Sequence, residues 1–280
     1  MSERFRAFSF VDRITRSASR RIEGEYTVPA HATRFPPSLM AEAVGQLAAW
    51  CSMAELDFAW RPVAGLAWAT RYHQIVVPGQ TLQLEADIAR CDSEAVAYGG
   101  RARIDGRLAL ELVDCVGPML PMPEFDDPAA VHADYDTLRT QGVAPGRFGG
   151  VPAPRIETTD HVRGERLAAT LQVPRADEAP YFGDHFPRRP VFPGTLLLDA
   201  LAGLAVQVAR EALPDAVALM PAAVNNVKIR AFTPPGATLD LEIELLETDG
   251  ERARLKLGAG SGGKAIATAR VEVAPRTVTV

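Results

Sequence analysis

The sequence predicts an α+β chain in which one unit occurs twice, each copy a buried helix wrapped by a long antiparallel sheet. The first observation behind this is an internal repeat. Phe35-Pro36-Pro37 through Glu42-Ala43 reads against Phe192-Pro193-Gly194 through Asp199-Ala200, an offset of 199 − 42 = 157. Val77-Pro78-Gly79 through Glu85 reads against Pro234-Pro235-Gly236 through Glu242 at the same offset. The second observation is that each copy holds an Ala- and Leu-rich run that is apolar on nearly every side, Ser38 to Glu55 and about 195–212, as a helix buried over most of its surface requires. The third is that each such run is followed by four alternating or β-branched segments broken by turn residues.

In chain order, a first strand is expected over about 20–28, then the helix, then strands near 66–77, 80–91, 96–104 and 107–117. Pro78-Gly79 and Asp105-Gly106 supply turns. From Pro118 to about Pro154 prolines, glycines and acidic residues cluster, which reads as linker with one short helix over 128–139. The second copy then repeats the plan, with strands near 165–174, 222–232, 238–248, 252–259 and 264–273 and a frayed end from Pro275 to Val280. The domains expected are 1–120, a linker 121–153, and 154–280. One buried helix wrapped by a long antiparallel sheet is the hotdog architecture, so the chain reads as a double hotdog forming an internal pseudo-dimer.

The 280 residues are 47% hydrophobic and carry a net charge of −5 with no massed Lys or Arg, so nothing points to nucleic acid. No stretch of about 18 apolar residues marks a membrane span or a signal peptide. The three cysteines, Cys51, Cys91 and Cys115, have no metal-ligand spacing and suit a reducing cytoplasm. No metal or cofactor is expected.

The two copies differ where chemistry would lie. Upstream, Val28-Pro29 reads against Val173-Pro174 at an offset of 145, so the first copy is 157 − 145 = 12 residues shorter before its Phe-Pro. The missing residues are those that carry His185 in the second copy. His31 lies outside any comparable context and reads as a loop or surface histidine. His185 itself stands in Gly183-Asp-His-Phe-Pro-Arg-Arg-Pro-Val-Phe-Pro-Gly194, followed by a helix whose Asp199 is fourteen residues beyond it.

This segment resembles the active-site motif of the 3-hydroxyacyl-thioester dehydratases of fatty-acid synthesis, the FabA/FabZ-like hotdog family, with its His-Phe-Pro, its Pro-Gly and an acid fourteen residues on. Phe8 to Arg13 resembles the family's Phe-x-x-Val-Asp-Arg opening, and Glu42-Ala43-Val44-Gly45-Gln46 its Glu-Ala-x-x-Gln helix. The resemblance implies a dehydratase acting on an acyl carrier protein or coenzyme A thioester, in fatty-acid, polyketide or polyene synthesis. In that family histidine and carboxylate come from different hotdogs of a pair, which assigns His185 as base and Glu42 as acid. The Gly194 N–H would meet the thioester oxyanion and Gln46 would support Glu42. Asp199 is the disfavoured acid, because its copy has Gly203 at the Gln position, while the opposing loop has no histidine and Pro37 where Gly194 stands; proline offers no N–H. The histidine-first order of the double-hotdog domains in polyketide and animal fatty-acid synthases is reversed here.

Arg188 and Arg189 read either as solvated charges or as the contact for phosphopantetheine or an acidic carrier. Further homodimerisation, or pairing with another hotdog protein, stays open. The alternative reading is a non-catalytic carrier-binding subunit or a hotdog thioesterase, since the fold hosts all of these.

Overall fold

A computed structural model describes residues 7–144 and 148–275; of the end expected to fray, Pro275 instead closes the last strand and the rest lies outside the described residues. In the first half β1 (Arg13–Ala18) and β2 (Arg21–Thr27) form a hairpin ahead of helix α1 (Ser38–Glu55). β3 (Trp60–Pro62), β4 (Leu66–Tyr72), β5 (Thr81–Cys91), β6 (Ala95–Ile104) and β7 (Arg107–Pro121) follow. Helix α2 (Pro128–Thr140) leads to the second half: β8 (Arg155–Val162), β9 (Arg166–Gln172), α3 (Gly194–Ala212), β10 (Leu219–Ile229), β11 (Thr238–Thr248), β12 (Ala253–Ser261) and β13 (Lys264–Pro275).

The strands form one sheet in the order β1-β2-β5-β6-β7-β4-β10-β13-β12-β11-β9-β8, with β3 on β7. Read inward from its two edges, this order is the same six-strand unit twice: β8 stands where β1 does, β9 where β2 does, and so on to β10 and β4. The halves join where β4 and β10 pair antiparallel, Ala67 opposite Val227 and Ala69 opposite Asn225. This is a double hotdog.

The expected elements recur with shifted ends, and three strands were not anticipated. β1 and β8 are edge strands with mostly exposed side chains, so neither shows the alternation that betrays a half-buried strand. β3 is three residues long. β4 stops at Tyr72, five residues before the expected 77, and β7 continues through Pro118 to Pro121. Prolines fit there because that end of β7 pairs with the short β3, where few ladder donors are needed.

Each helix lies in its own half's sheet. Val44 and Leu47 of α1 are fully buried, as are Ala205 and Val208 of α3. Gly100 on β6 permits the approach of α1: a Cβ there would come within 2.6 Å of Val44 Cγ1 and 2.5 Å of the Glu85 carbonyl. Burying the large apolar side chains, five in α1 (Leu39, Met40, Val44, Leu47, Met53) and four in α3 (Leu196, Leu197, Leu201, Val208), at about 1.5–3 kcal/mol each is what holds two such apolar helices in place.

Residues 121–144 of the segment read as linker are packed. Asp127 caps α2 by accepting from the Ala129 N–H, and Val131, Tyr135 and Leu138 are buried. Phe125 is fully buried beside Phe186, their ring centroids 5.1 Å apart. The stretch therefore buttresses the histidine loop as well as connecting the halves.

Candidate functional site

The histidine loop begins in a 3-10 turn, Pro180–Gly183, and is closed by its own backbone: the His185 N–H donates to Tyr181 O (2.9 Å) and the Val191 N–H to His185 O (3.0 Å). His185 Nδ1 lies 2.9 Å from Val191 O. A carbonyl can only accept, so Nδ1 carries the proton and Nε2 of the neutral ring keeps a lone pair. Burial holds the imidazole below its ordinary value of 6.5, and Arg61 acts in the same direction, while the Glu42 carboxylate and the Val191 carbonyl oppose. The ring is thus favoured in its neutral, basic form. Phe186 stacks on it at 4.2 Å and Phe8 meets it edge-on at 5.3 Å.

Glu42 comes from the other half, near the start of α1. Its Oε1 accepts from Gln46 Nε2 (3.0 Å) and its Oε2 from Thr195 Oγ1 of α3 (2.8 Å). Gln46 is fixed in turn, donating also to Phe8 O (3.0 Å) and accepting from the Phe10 N–H (2.8 Å). Residues 7–10 then reach the histidine loop, where Asp184 Oδ2 accepts from the N–H groups of Ala7 and Phe8, each at 2.8 Å. One short segment thus ties the glutamate helix to the histidine loop.

His185, Glu42, Gln46, Gly194, Thr195 and Arg61 all line one cavity of about 250 Å³. Its remaining wall is mostly apolar, including Ala48, Met53, Val96, Leu112 and Leu198. Gly194 is the first residue of α3, which has no side-chain N-cap, so the opening turn presents N–H groups with no helical partner. A base, a carboxyl group and an anion-accepting helix end therefore face one apolar chamber. Such a set can take a proton from carbon, protonate a leaving oxygen and stabilise a carbonyl oxygen that gains charge.

Asp199 stands apart. It does not line the cavity, and its Oδ2 is 2.6 Å from Arg34 Nη2. Burial raises its carboxyl above the ordinary range, with Arg34 opposing. His31 is exposed, in a turn. Arg188 and Arg189 are exposed but engaged: Arg188 Nη1 donates to Pro123 O (3.1 Å), and Arg189 pairs with Glu124 (3.0 Å) and lies over the Phe232 ring. Among the described residues no group of three or more His, Cys, Asp and Glu side chains converges as a metal site. No helix among them is long and apolar enough to cross a membrane.

Sequence reasoning did not single out Thr195, Asp184, Arg34 or Arg61. Thr195 and Asp184 adjoin Gly194 and His185, so adjacency was a usable signal. Arg34 and Arg61 carry none, because only folding brings them to their partners.

Fold and site together define a hotdog protein in which His185 of one half and Glu42 of the other line one cavity. The model of ApeI-like dehydratases matches residues 159–269. A 3-hydroxyacyl-[acyl-carrier-protein] dehydratase FabZ of Zymomonas mobilis is 32% identical over 143 residues, which is 49% of this chain and 87% of that protein. The FabZ of Bacillus subtilis is 31% identical over 129 residues, 45% of this chain and 84% of that protein. The chain belongs to the FabZ family of 3-hydroxyacyl-[acyl-carrier-protein] dehydratases. Its fold extends across other hotdog proteins: a structure described as an oleoyl thioesterase from Lactobacillus plantarum superposes with a TM-score of 0.61 over 93% of this chain and 98% of that one, at 9% identity.

Proposed function

We propose that this protein dehydrates a 3-hydroxyacyl thioester to the trans-2-enoyl thioester at one active site per chain. The observation that carries this is the meeting of His185 from the second half with Glu42 from the first at one cavity, beside the opening of α3. His185 Nε2 takes the C2 proton, and the electron pair of the broken C–H bond forms the C2=C3 double bond. The Gly194 N–H stabilises the thioester oxygen as it gains charge. Glu42 gives its proton to the C3 hydroxyl, the C3–O bond breaks, and water leaves. The proton gained by His185 and the one lost by Glu42 balance, so exchange with solvent resets the site without any redox step.

The relatives' names support an acyl carrier protein as the donor of substrate, and a coenzyme A thioester would present the same reacting atoms. Arg188 and Arg189, exposed beside the histidine loop, are our choice for the carrier contact, although each also holds residues 123–124. The free cysteines Cys51, Cys91 and Cys115 favour a reducing compartment, hence the cytoplasm. We take 1–120 and 154–280 as the two hotdog domains and 121–153 as their connection. Fatty-acid, polyketide and polyene synthesis all require this reaction.

The test is hydration of a short trans-2-enoyl thioester, on carrier protein and on coenzyme A, followed by loss of enoyl absorbance. His185→Ala and Glu42→Gln should each lower turnover by at least about 100-fold, the usual scale of a lost general base or acid, while Asp199→Asn leaves it intact. A fatal Asp199→Asn would move the site within the second half. A wild type inert on both carriers, or one that releases free acid, would replace this reading with the carrier-binding or thioesterase alternative.

A further inference from the structure

The two oxygens of Glu42 have unlike partners, and the difference bears on which of them carries a proton. Oε1 faces the amide nitrogen of Gln46, which can only donate. That amide cannot turn over without losing its bonds to Glu42, to Phe8 O and from the Phe10 N–H. A proton on the Oε1 lone pair that faces Gln46 would point at another proton. Oε2 faces the Thr195 hydroxyl, which donates in one rotamer and accepts in another, so of these two contacts the one at Oε2 serves both states of the carboxyl group.

The duplication supplies an internal control. Ser38 occupies the position of Thr195 in the first half, at the repeat's offset, since 195 − 157 = 38. Its hydroxyl is buried and has no hydrogen-bond partner among the described residues, and the carboxylate it would serve, Asp199, is held by Arg34 instead. The bond from helix-opening hydroxyl to opposing carboxylate therefore survives only in the site that has a histidine.

We propose that Thr195 is a positioning residue of the dehydratase: its hydroxyl assigns the transferable proton to Oε2 of Glu42 and holds that oxygen beside the cavity. The inference rests on the functional reading above. It makes the first turn of α3 responsible for two tasks, the thioester oxygen through the Gly194 N–H and the acid through the next side chain.

The experiment compares Thr195→Val, Thr195→Ala, Thr195→Ser and Ser38→Ala with wild type in the enoyl thioester assay, with thermal melts for each. Thr195→Val keeps the shape and loses the hydroxyl, and should lower kcat about 10- to 100-fold with KM within about two-fold. Thr195→Ala should do the same, Thr195→Ser should recover kcat to within about three-fold of wild type, and Ser38→Ala should change nothing. A Thr195→Val or Thr195→Ala enzyme with wild-type kcat, or a serine variant as poor as the valine one, would overturn the inference while leaving His185 and Glu42 in place. Wild type without hydratase activity, or an active Glu42→Gln, would overturn the functional reading and this inference with it.

Discussion

Arg34 closes on Asp199, with Nη2 2.6 Å from Oδ2. Arg34 belongs to the loop before α1, the shortened counterpart of the loop that bears His185. In one half of the pseudo-dimer the loop brings an imidazole toward the opposing helix's carboxylate; in the other it brings a guanidinium. A guanidinium stays charged at any relevant pH and cannot act as a base. The counterpart position thus holds an ion pair that joins the two halves.

That ion pair has a consequence for stability. Arg34→Ala should lower the melting temperature and leave turnover unchanged. Asp199 is only 18% exposed but Arg34 is 57% exposed, so solvent screens the pair and the loss should be about 1 kcal/mol rather than the larger cost of breaking a fully buried pair. Thermal or urea unfolding reads it. A fall in kcat without a fall in stability would place Arg34 in the working site instead.

The pH profile should show a depressed acid limb. Burial holds His185 below 6.5 with Arg61 assisting, so the ring stays neutral, and kcat/KM holds, to a lower pH than an exposed imidazole would allow. Arg61→Met removes the assisting charge and should move that limb upward. The same group affects folding with a definite sign. Below pH 6.5 the unfolded chain takes up a proton that native His185 resists, so its contribution makes the protein less stable as pH falls.

Asp12 should behave in the opposite sense. It is 8% exposed, accepts from the Thr27 N–H at 2.7 Å, and burial raises its carboxyl to about 6, with that hydrogen bond opposing and Glu25 assisting. Native Asp12 therefore holds a proton that the unfolded chain releases near 3.8, and its charge destabilises the fold as pH rises from about 4 through 6. Asp12→Asn, which can still accept from Thr27, should stabilise the protein by about 1–2 kcal/mol at pH 7 and not at pH 4. Equal effects at both pH values would rule this out.

Asp184 should matter through Phe8. Its Oδ2 takes the N–H groups of Ala7 and Phe8, and Phe8 in turn packs on His185. Asp184→Ala should release residues 7–10, raise hydrogen exchange at the Phe8 amide, and cost about 1.5–3 kcal/mol, as loss of a charge-assisted hydrogen bond does. Turnover should fall as His185 loses its edge-on neighbour. Unchanged exchange at Phe8 would show that the segment is held by Gln46 alone.

Much of this was legible in the residues. Helix α1 was expected at Ser38–Glu55 and is found there, because an apolar run of that length has few other folds open to it. The strands of β5 and β11 were marked by alternation and by the Pro-Gly turns before them. His185, Glu42, Gln46 and Gly194 were picked out by motif, and the geometry brings all four to one cavity. The edge strands β1 and β8 were not legible, since a strand exposed on most sides leaves no periodic trace.

The sequence by itself determined the repeat, the two buried helices, the sheet segments and the loss of a histidine loop from the first copy, because these are local properties of composition, period and length. Only the tertiary structure decided which groups meet across the halves: Thr195 on Glu42, Arg34 on Asp199, Asp184 on the backbone of residues 7–8. These contacts join residues more than 150 positions apart. Their geometry is fixed by the antiparallel pairing of β4 with β10 and the packing of α1 against α3, which no single segment encodes.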